Sequence, residues 1–118
     1  MLQNSKLKNM FKLSSRVTVY VPSTIDIDKE IDTTEYIDKT ATLLSSFFGG
    51  ATSTTALGYW VSPTAGLVKE KSTMVFAYCS EKDLNEKADE VVNWCEKMRE
   101  ELKQDAIALE INGEIYFI

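Results

Sequence analysis

The residues able to do chemistry are few, and their spacing narrows what they can do. The chain has no histidine, so neither a Ser-His nor a Cys-His nucleophile pair can form. Its two cysteines, Cys79 and Cys95, are sixteen residues apart and supply no zinc ligand set on their own. Cys95 falls on a helical apolar stripe, where burial raises a thiol pKa and makes it inert. Cys79 ends a strand just before a helix start, where the helix dipole lowers a thiol pKa, yet no Lys or Arg adjoins it. Asp26, Asp28, Glu30 and Asp32 alternate like the opening of a calcium loop. An EF-hand also needs Gly at loop position six and a bidentate Glu at twelve, and those places hold Ile31 and Ile37. No metal ligand and no cofactor are expected, and no residue is assigned a catalytic role.

Carboxylates and hydroxyls remain. Glu70, within Val68-Lys69-Glu70-Lys71, is the one acid set inside a strand and flanked by lysines. It reads either as a poised acid or anion-site organiser, or as half of a solvated cross-strand ion pair. Gly49-Gly50-Ala51-Thr52-Ser53-Thr54-Thr55 has the glycines and hydroxyls of a phosphate cradle but lacks its lysine. It also follows a helix instead of preceding one, whereas phosphate binds helix N-termini. A polar-faced strand is the plain reading. As a ligand site, the region offers Thr52, Thr54, Tyr59, Trp60 and Glu70. Residues 71–78 share only the end of the aromatic signature by which a ferredoxin-like sheet binds RNA.

The elements that must position these residues follow from hydrophobic period. Arg16 to Val21 alternates with period two and exits at Pro22. A helix opens near Asp32 with a capping-box-like start, carries Ile37, Ala41, Leu44 and Phe48 on one face with Phe47 alongside, and stops at Gly49-Gly50. Residues 51–62 form a strand rich in Thr and aromatics. Pro63 to Gly66 makes a turn, and 67–79 returns. Ser80 caps a second helix whose Leu84, Ala88, Val91, Cys95, Met98 and Leu102 make one stripe. Ala106 to Ile111 is a strand, and Asn112-Gly113 is a type I′ hairpin signal that returns Glu114 to Ile118. The order predicts an α+β, ferredoxin-like βαββαβ two-layer sandwich with an extra C-terminal hairpin strand. Thr18, Tyr20, Trp60, Phe76 and Tyr78, with Tyr116 on the last strand, are core or free-face residues depending on register. An apolar free face invites a homodimer.

Charge divides the chain in two. The first sixteen residues carry Lys6, Lys8, Lys12 and Arg16 and no acid, whereas the other 102 hold 9 basic and 18 acidic groups. Residues 1–15 read as a basic, flexible extension in which Leu2, Met10, Phe11 and Leu13 interleave with lysines, and 16–118 as the single domain. So acidic a body repels phosphate backbones and attracts basic protein surfaces, so a protein partner is expected and a nucleic acid is not. No apolar run approaches the roughly 18 residues of a membrane span. Two cysteines are too few for a disulfide framework, and the N-terminus lacks a signal-peptide core. The expected location is cytoplasmic.

The stretches Phe48-Gly-Gly-Ala-Thr-Ser-Thr-Thr-Ala-Leu-Gly-Tyr-Trp, Gly66-Leu-Val-Lys-Glu-Lys-Ser and Ala106-Ile-Ala-Leu-Glu-Ile-Asn-Gly-Glu-Ile-Tyr-Phe-Ile carry a resemblance. The chain resembles an uncharacterised family of short proteins from plasmids, integrative elements and phages of Gram-positive bacteria. The resemblance covers most of residues 16–118, implies a mobile-element accessory protein, and carries over no catalytic residue. The leading expectation is a small non-enzymatic interaction module, an inhibitor of a host or defence protein. The alternatives are a small-ligand or nucleotide binder with its site at a dimer interface, and a cofactor-free enzyme using carboxylates, with Glu70 first among them.

Overall fold

The computed structural model describes residues 3–118; Met1 and Leu2, the start of the expected basic extension, lie outside the described residues. Two helices cover one face of a five-stranded antiparallel sheet. The elements are β1 (Ser15–Pro22), β2 (Thr24–Ile25), β3 (Lys29–Glu30), α1 (Thr34–Phe48), β4 (Thr52–Ser62), β5 (Gly66–Cys79), α2 (Glu81–Glu101), β6 (Ala108–Ile111) and β7 (Glu114–Phe117). The main sheet runs β4-β5-β1-β6-β7, and β2-β3 form a separate two-stranded ribbon. This order is not that of a four-stranded ferredoxin-like sheet, because a fifth strand lies on the β6 edge and the ribbon interrupts the passage from β1 to α1.

Strand parity decides which residues the helices cover. Val17, Val19 and Val21 of β1, with Val75, Ala77 and Cys79 of β5, are buried against Leu84, Val91, Cys95 and Met98 of α2, Leu102 at its C-cap, and Leu44 of α1. The α2 stripe is therefore the one its period requires. Ser80 caps α2, its Oγ accepting from the Asp83 amide at 3.1 Å. The start of α1 differs from a capping box: the Asp32 carboxylate accepts from the Thr34 amide at 2.9 Å, and Glu35 turns to Lys39 at 2.9 Å. Thr34 also holds the Asp32 carboxyl below its usual pKa by donating its side-chain hydroxyl and its amide. Gly49, at φ 89°, closes α1 in the left-handed conformation that glycine adopts freely. Between the helices, Trp94 Nε1 donates to Thr40 Oγ1 at 2.8 Å and that hydroxyl donates to the Tyr36 carbonyl at 2.7 Å.

Asn112 and Gly113 both have positive φ, 53° and 84°, as a type I′ turn demands. The turn also reaches across to β1: the Arg16 amide donates to Asn112 Oδ1 at 2.8 Å, and the Asn112 amide donates to the Arg16 carbonyl at 3.0 Å. The molecule is elongated, 53 × 28 × 20 Å. Toward its turn the β4-β5 hairpin outruns the helices, so Leu57, Tyr59, Val61 and Leu67 stay exposed although parity gives them the helix side of the sheet.

Candidate functional site

The hairpin arm sets the site. β4 and β5 pair without interruption from Thr52↔Phe76 to Ser62↔Gly66, which puts Gly58 opposite Glu70 and Trp60 opposite Val68. Trp60 and Glu70 share a face on diagonal positions, and Trp60 Nε1 donates to Glu70 Oε1 at 3.1 Å. A carboxylate is thereby held against an indole edge, and directly across the ladder Gly58 brings no side chain; a Cβ there would lie 3.7 Å from the Glu70 carbonyl oxygen. Thr-rich β4 extends because β-branched and aromatic residues suit a pleated ladder. Ser62 fixes the turn, its Oγ accepting from the Thr64 and Ala65 amides at 3.2 Å each.

These residues line one wall of a cavity of about 670 Å³, a volume usual for a small-molecule site. Tyr20 and Pro22 of β1, the β2-β3 ribbon, and the Gln104–Ala106 segment after α2 supply the other walls. The lining includes four carboxylates, Asp28, Glu30, Glu70 and Asp105, and two lysines, Lys69 and Lys71. By register both lysines belong to the face of β5 opposite Glu70. The site therefore presents excess negative charge next to an aromatic ring, which suits a cationic ligand. A shallower groove between α1 and α2, about 700 Å³, is lined by Leu43, Phe47 and Trp94, and its Glu35–Lys39 charges already neutralise one another.

Of the five residues expected to bind ligand, the structure brings Trp60 and Glu70 together. Tyr59 lies on the opposite face of the same arm. Thr54 and Thr52 share the Trp60 face but sit about 13 and 20 Å from Gly58 along the strand, at 3.3 Å per residue. The ribbon and Gln104 were missed by sequence reasoning; the alternating acids at 26–32 were their one signal, and they resembled a calcium loop instead. Among the described residues no group of three or more His, Cys, Asp or Glu is placed to hold a metal ion. Burial, with a smaller push from Glu96, raises the Cys95 thiol to about 12. The Cys79 thiol is raised too, by burial and then by Asp83, opposite in direction to the lowering expected from its place before α2. No helix of the described residues is long and apolar enough to cross a membrane.

No family model matches the chain, and no curated protein matches it. Solved structures do. The chain is similar to a phage SAM lyase in complex with S-methyl-5'-thioadenosine, at TM-score 0.62 and 18% identity over 92% of this chain and 94% of that one. It is similar to a phage SAM lyase in the apo state at TM-score 0.62 and 19% identity, with the same coverage. A Bacillus cereus protein related to NIF3 scores 0.43 at 13% identity over 88% of this chain and 25% of that one, too low to carry an argument. At such identities the likeness shows a shared fold. It nevertheless overturns the expectation of a non-enzymatic interaction module and the weight placed against an enzyme: a phage lyase has this fold over nearly its whole length.

Proposed function

We propose that the chain is a lyase acting on a cationic sulfonium nucleoside of the S-adenosylmethionine type, with Glu70 and Trp60 at its centre. The observation that carries this reading is the Trp60–Glu70 hydrogen bond at 3.1 Å inside a carboxylate-rich cavity. The fold neighbours support it, since the ligand of one of them, S-methyl-5'-thioadenosine, is the thioether left when the bond from sulfur to the methionine side chain breaks.

That cleavage needs little from the protein. The bond pair of the breaking S–C bond goes to sulfur, and the positive charge disappears with it. The carbon left behind is made good in one of two ways: a neighbouring C–H proton moves to a base as a C=C bond forms, or the substrate's own carboxylate closes a ring. In the first route Glu70 takes the proton. In the second it holds the cation in its reactive conformation, with the Trp60 ring packed against the sulfonium. Trp60 is about half exposed, so its fluorescence reports on the site. Binding of S-methyl-5'-thioadenosine is expected to quench the wild-type emission and to leave that of Trp60→Phe, which retains Trp94, unchanged. Equal quenching of both proteins would place the ligand elsewhere.

The same reading takes the topology as an elaborated ferredoxin-like one, the chain as a cytoplasmic mobile-element protein, and the free sheet face as a contact between copies. Thr18, Tyr20, Phe76 and Tyr78 all lie on this face by register, with Ile115 and Phe117 at its edge. The Arg16 guanidinium stacks 4.4 Å over the Phe76 ring. Buried Arg16 Nε and Thr18 Oγ1 find no hydrogen-bond partner within the described residues, and unpaired buried polar atoms are costly. Tyr78, Ile115 and Phe117 remain 51%, 52% and 72% exposed. Light scattering is expected to give a homo-oligomeric mass, falling on Phe117→Glu; a wild-type monomer would remove this part of the reading.

A further inference from the structure

One wall of the Glu70 cavity does not belong to the main sheet. The β2-β3 ribbon folds over it as a flap, Ser23 to Glu30, and its roots are fixed from two sides. Ser23 Oγ donates to the carbonyl of Lys71, the neighbour of Glu70, at 2.8 Å. On the other side Gln104 Nε2 donates to the Thr24 carbonyl at 3.1 Å, and the Asp26 amide donates to the Leu102 carbonyl at 3.0 Å. Between these anchors the tip takes a tight course, with φ 51° at Asp26 and 74° at Ile27. A β-branched residue in that region is unusual and strained. Both Ile27 and Asp28 line the cavity, together with Trp60 and Glu70.

The charges of the flap are not equivalent. Asp26 is engaged by Lys103 at 3.9 Å, whereas Asp28 at the tip and Glu30 at the end of β3 both line the cavity and make no ion pair among the described residues. Asp28 therefore adds an unpaired negative charge to those of Glu30, Glu70 and Asp105 in the cavity lining, where carboxylates repel one another unless a cation lies between them. A sulfonium nucleoside supplies that cation, and its thioether product does not.

We propose that Asp28, held at the tip of the anchored flap, is a specificity-determining residue that selects the cationic nucleoside over neutral thioethers of the same shape. Cleavage abolishes the charge that Asp28 attracts, so the flap's hold on the nucleoside weakens once the S–C bond is broken and the product leaves. The proposal rests on the Glu70 cavity being the nucleoside site.

The test is calorimetric titration with three probes. Sinefungin carries a protonated amine in place of the sulfonium and cannot lose a thioether. S-adenosylhomocysteine is the neutral counterpart with the same amino-acid chain, and S-methyl-5'-thioadenosine is the product. The wild type is expected to bind sinefungin about tenfold more tightly than S-adenosylhomocysteine. Asp28→Asn, an exposed and nearly isosteric change, is expected to bring that ratio to about one while S-methyl-5'-thioadenosine binds as before. An unchanged ratio in Asp28→Asn, or an equal loss for all three probes, would overturn the role of Asp28 and leave the site assignment standing. Failure of the wild type to bind S-methyl-5'-thioadenosine at all would overturn the site assignment itself, and the proposal with it.

Discussion

Replacing Glu70 by glutamine is expected to lower the rate of S-adenosylmethionine cleavage by about 10²-fold or more, with the fold intact. The magnitude is that of removing one acid–base or charge-stabilising group from an active site. Glutamine keeps the shape of the side chain and its amide oxygen still accepts the Trp60 N–H, so the arm loses a charge and no contact. Glu70 is exposed on a hairpin beyond the helices, and no core packing depends on it. The comparison that makes the result specific is Lys97→Gln, exposed on α2 and outside the cavity lining, which is expected to retain activity within about threefold. Equal activity in Glu70→Gln and the wild type would show that the carboxylate does not take part.

Met98→Asp is expected to destabilise the protein severely. Met98 is fully buried in the core with Val91 and Cys95 from its own helix, Leu102 at that helix's C-cap, and Val17, Val19 and Val75 from the sheet. An ionised carboxylate there has no partner, and the thioether's packing is lost as well. Together these cost about 4 kcal/mol or more, a large share of the roughly 5–15 kcal/mol that holds a domain of this size. Circular dichroism is expected to show a thermal midpoint lowered by about 15 °C or more. A variant that kept the wild-type thermal midpoint would mean that the α2 stripe does not face the sheet.

The fold was legible where a single period ran long enough. The α2 stripe spans nineteen residues from Leu84 to Leu102, and its spacing admits one buried face. The β4-β5 hairpin was bounded correctly within a residue at each end, because Pro63 to Gly66 is a strong turn signal and both arms are rich in Thr, Val and aromatics. The strand expected from Ala106 opens at Ala108, although Ile107 and Ile118 still exchange backbone hydrogen bonds at 3.0 and 2.9 Å. The β2-β3 ribbon was illegible: each strand is two residues long, and its turn places Asp26 and Ile27 at positive φ without the glycine that usually announces one.

Of the candidate site, Glu70 and Trp60 could be singled out from the sequence, and their assembly could not. Glu70 stood out as an acid inside a strand and Trp60 as an aromatic on the facing one, yet their meeting depends on a register that places them diagonally across the hairpin. Tyr59 and Trp60 are chain neighbours on a strand, so period two separates them onto opposite faces. The cavity's other walls come from residues 20–30 and 104–108, distant in sequence and joined by contacts such as Gln104 to Thr24. Nothing in the chain's motifs marks it as an enzyme: catalysis assigned to one carboxylate, an indole and an acidic cavity leaves no histidine, metal set or glycine loop to read.

The measurement that tests the central claim most directly is a mass-balanced turnover assay, following S-adenosylmethionine and S-methyl-5'-thioadenosine together by liquid chromatography with mass detection. The account predicts that the wild-type protein converts one into the other mole for mole, above the spontaneous rate, and that Glu70→Gln does so about a hundredfold more slowly or worse. No conversion above the spontaneous rate by folded wild-type protein would contradict it.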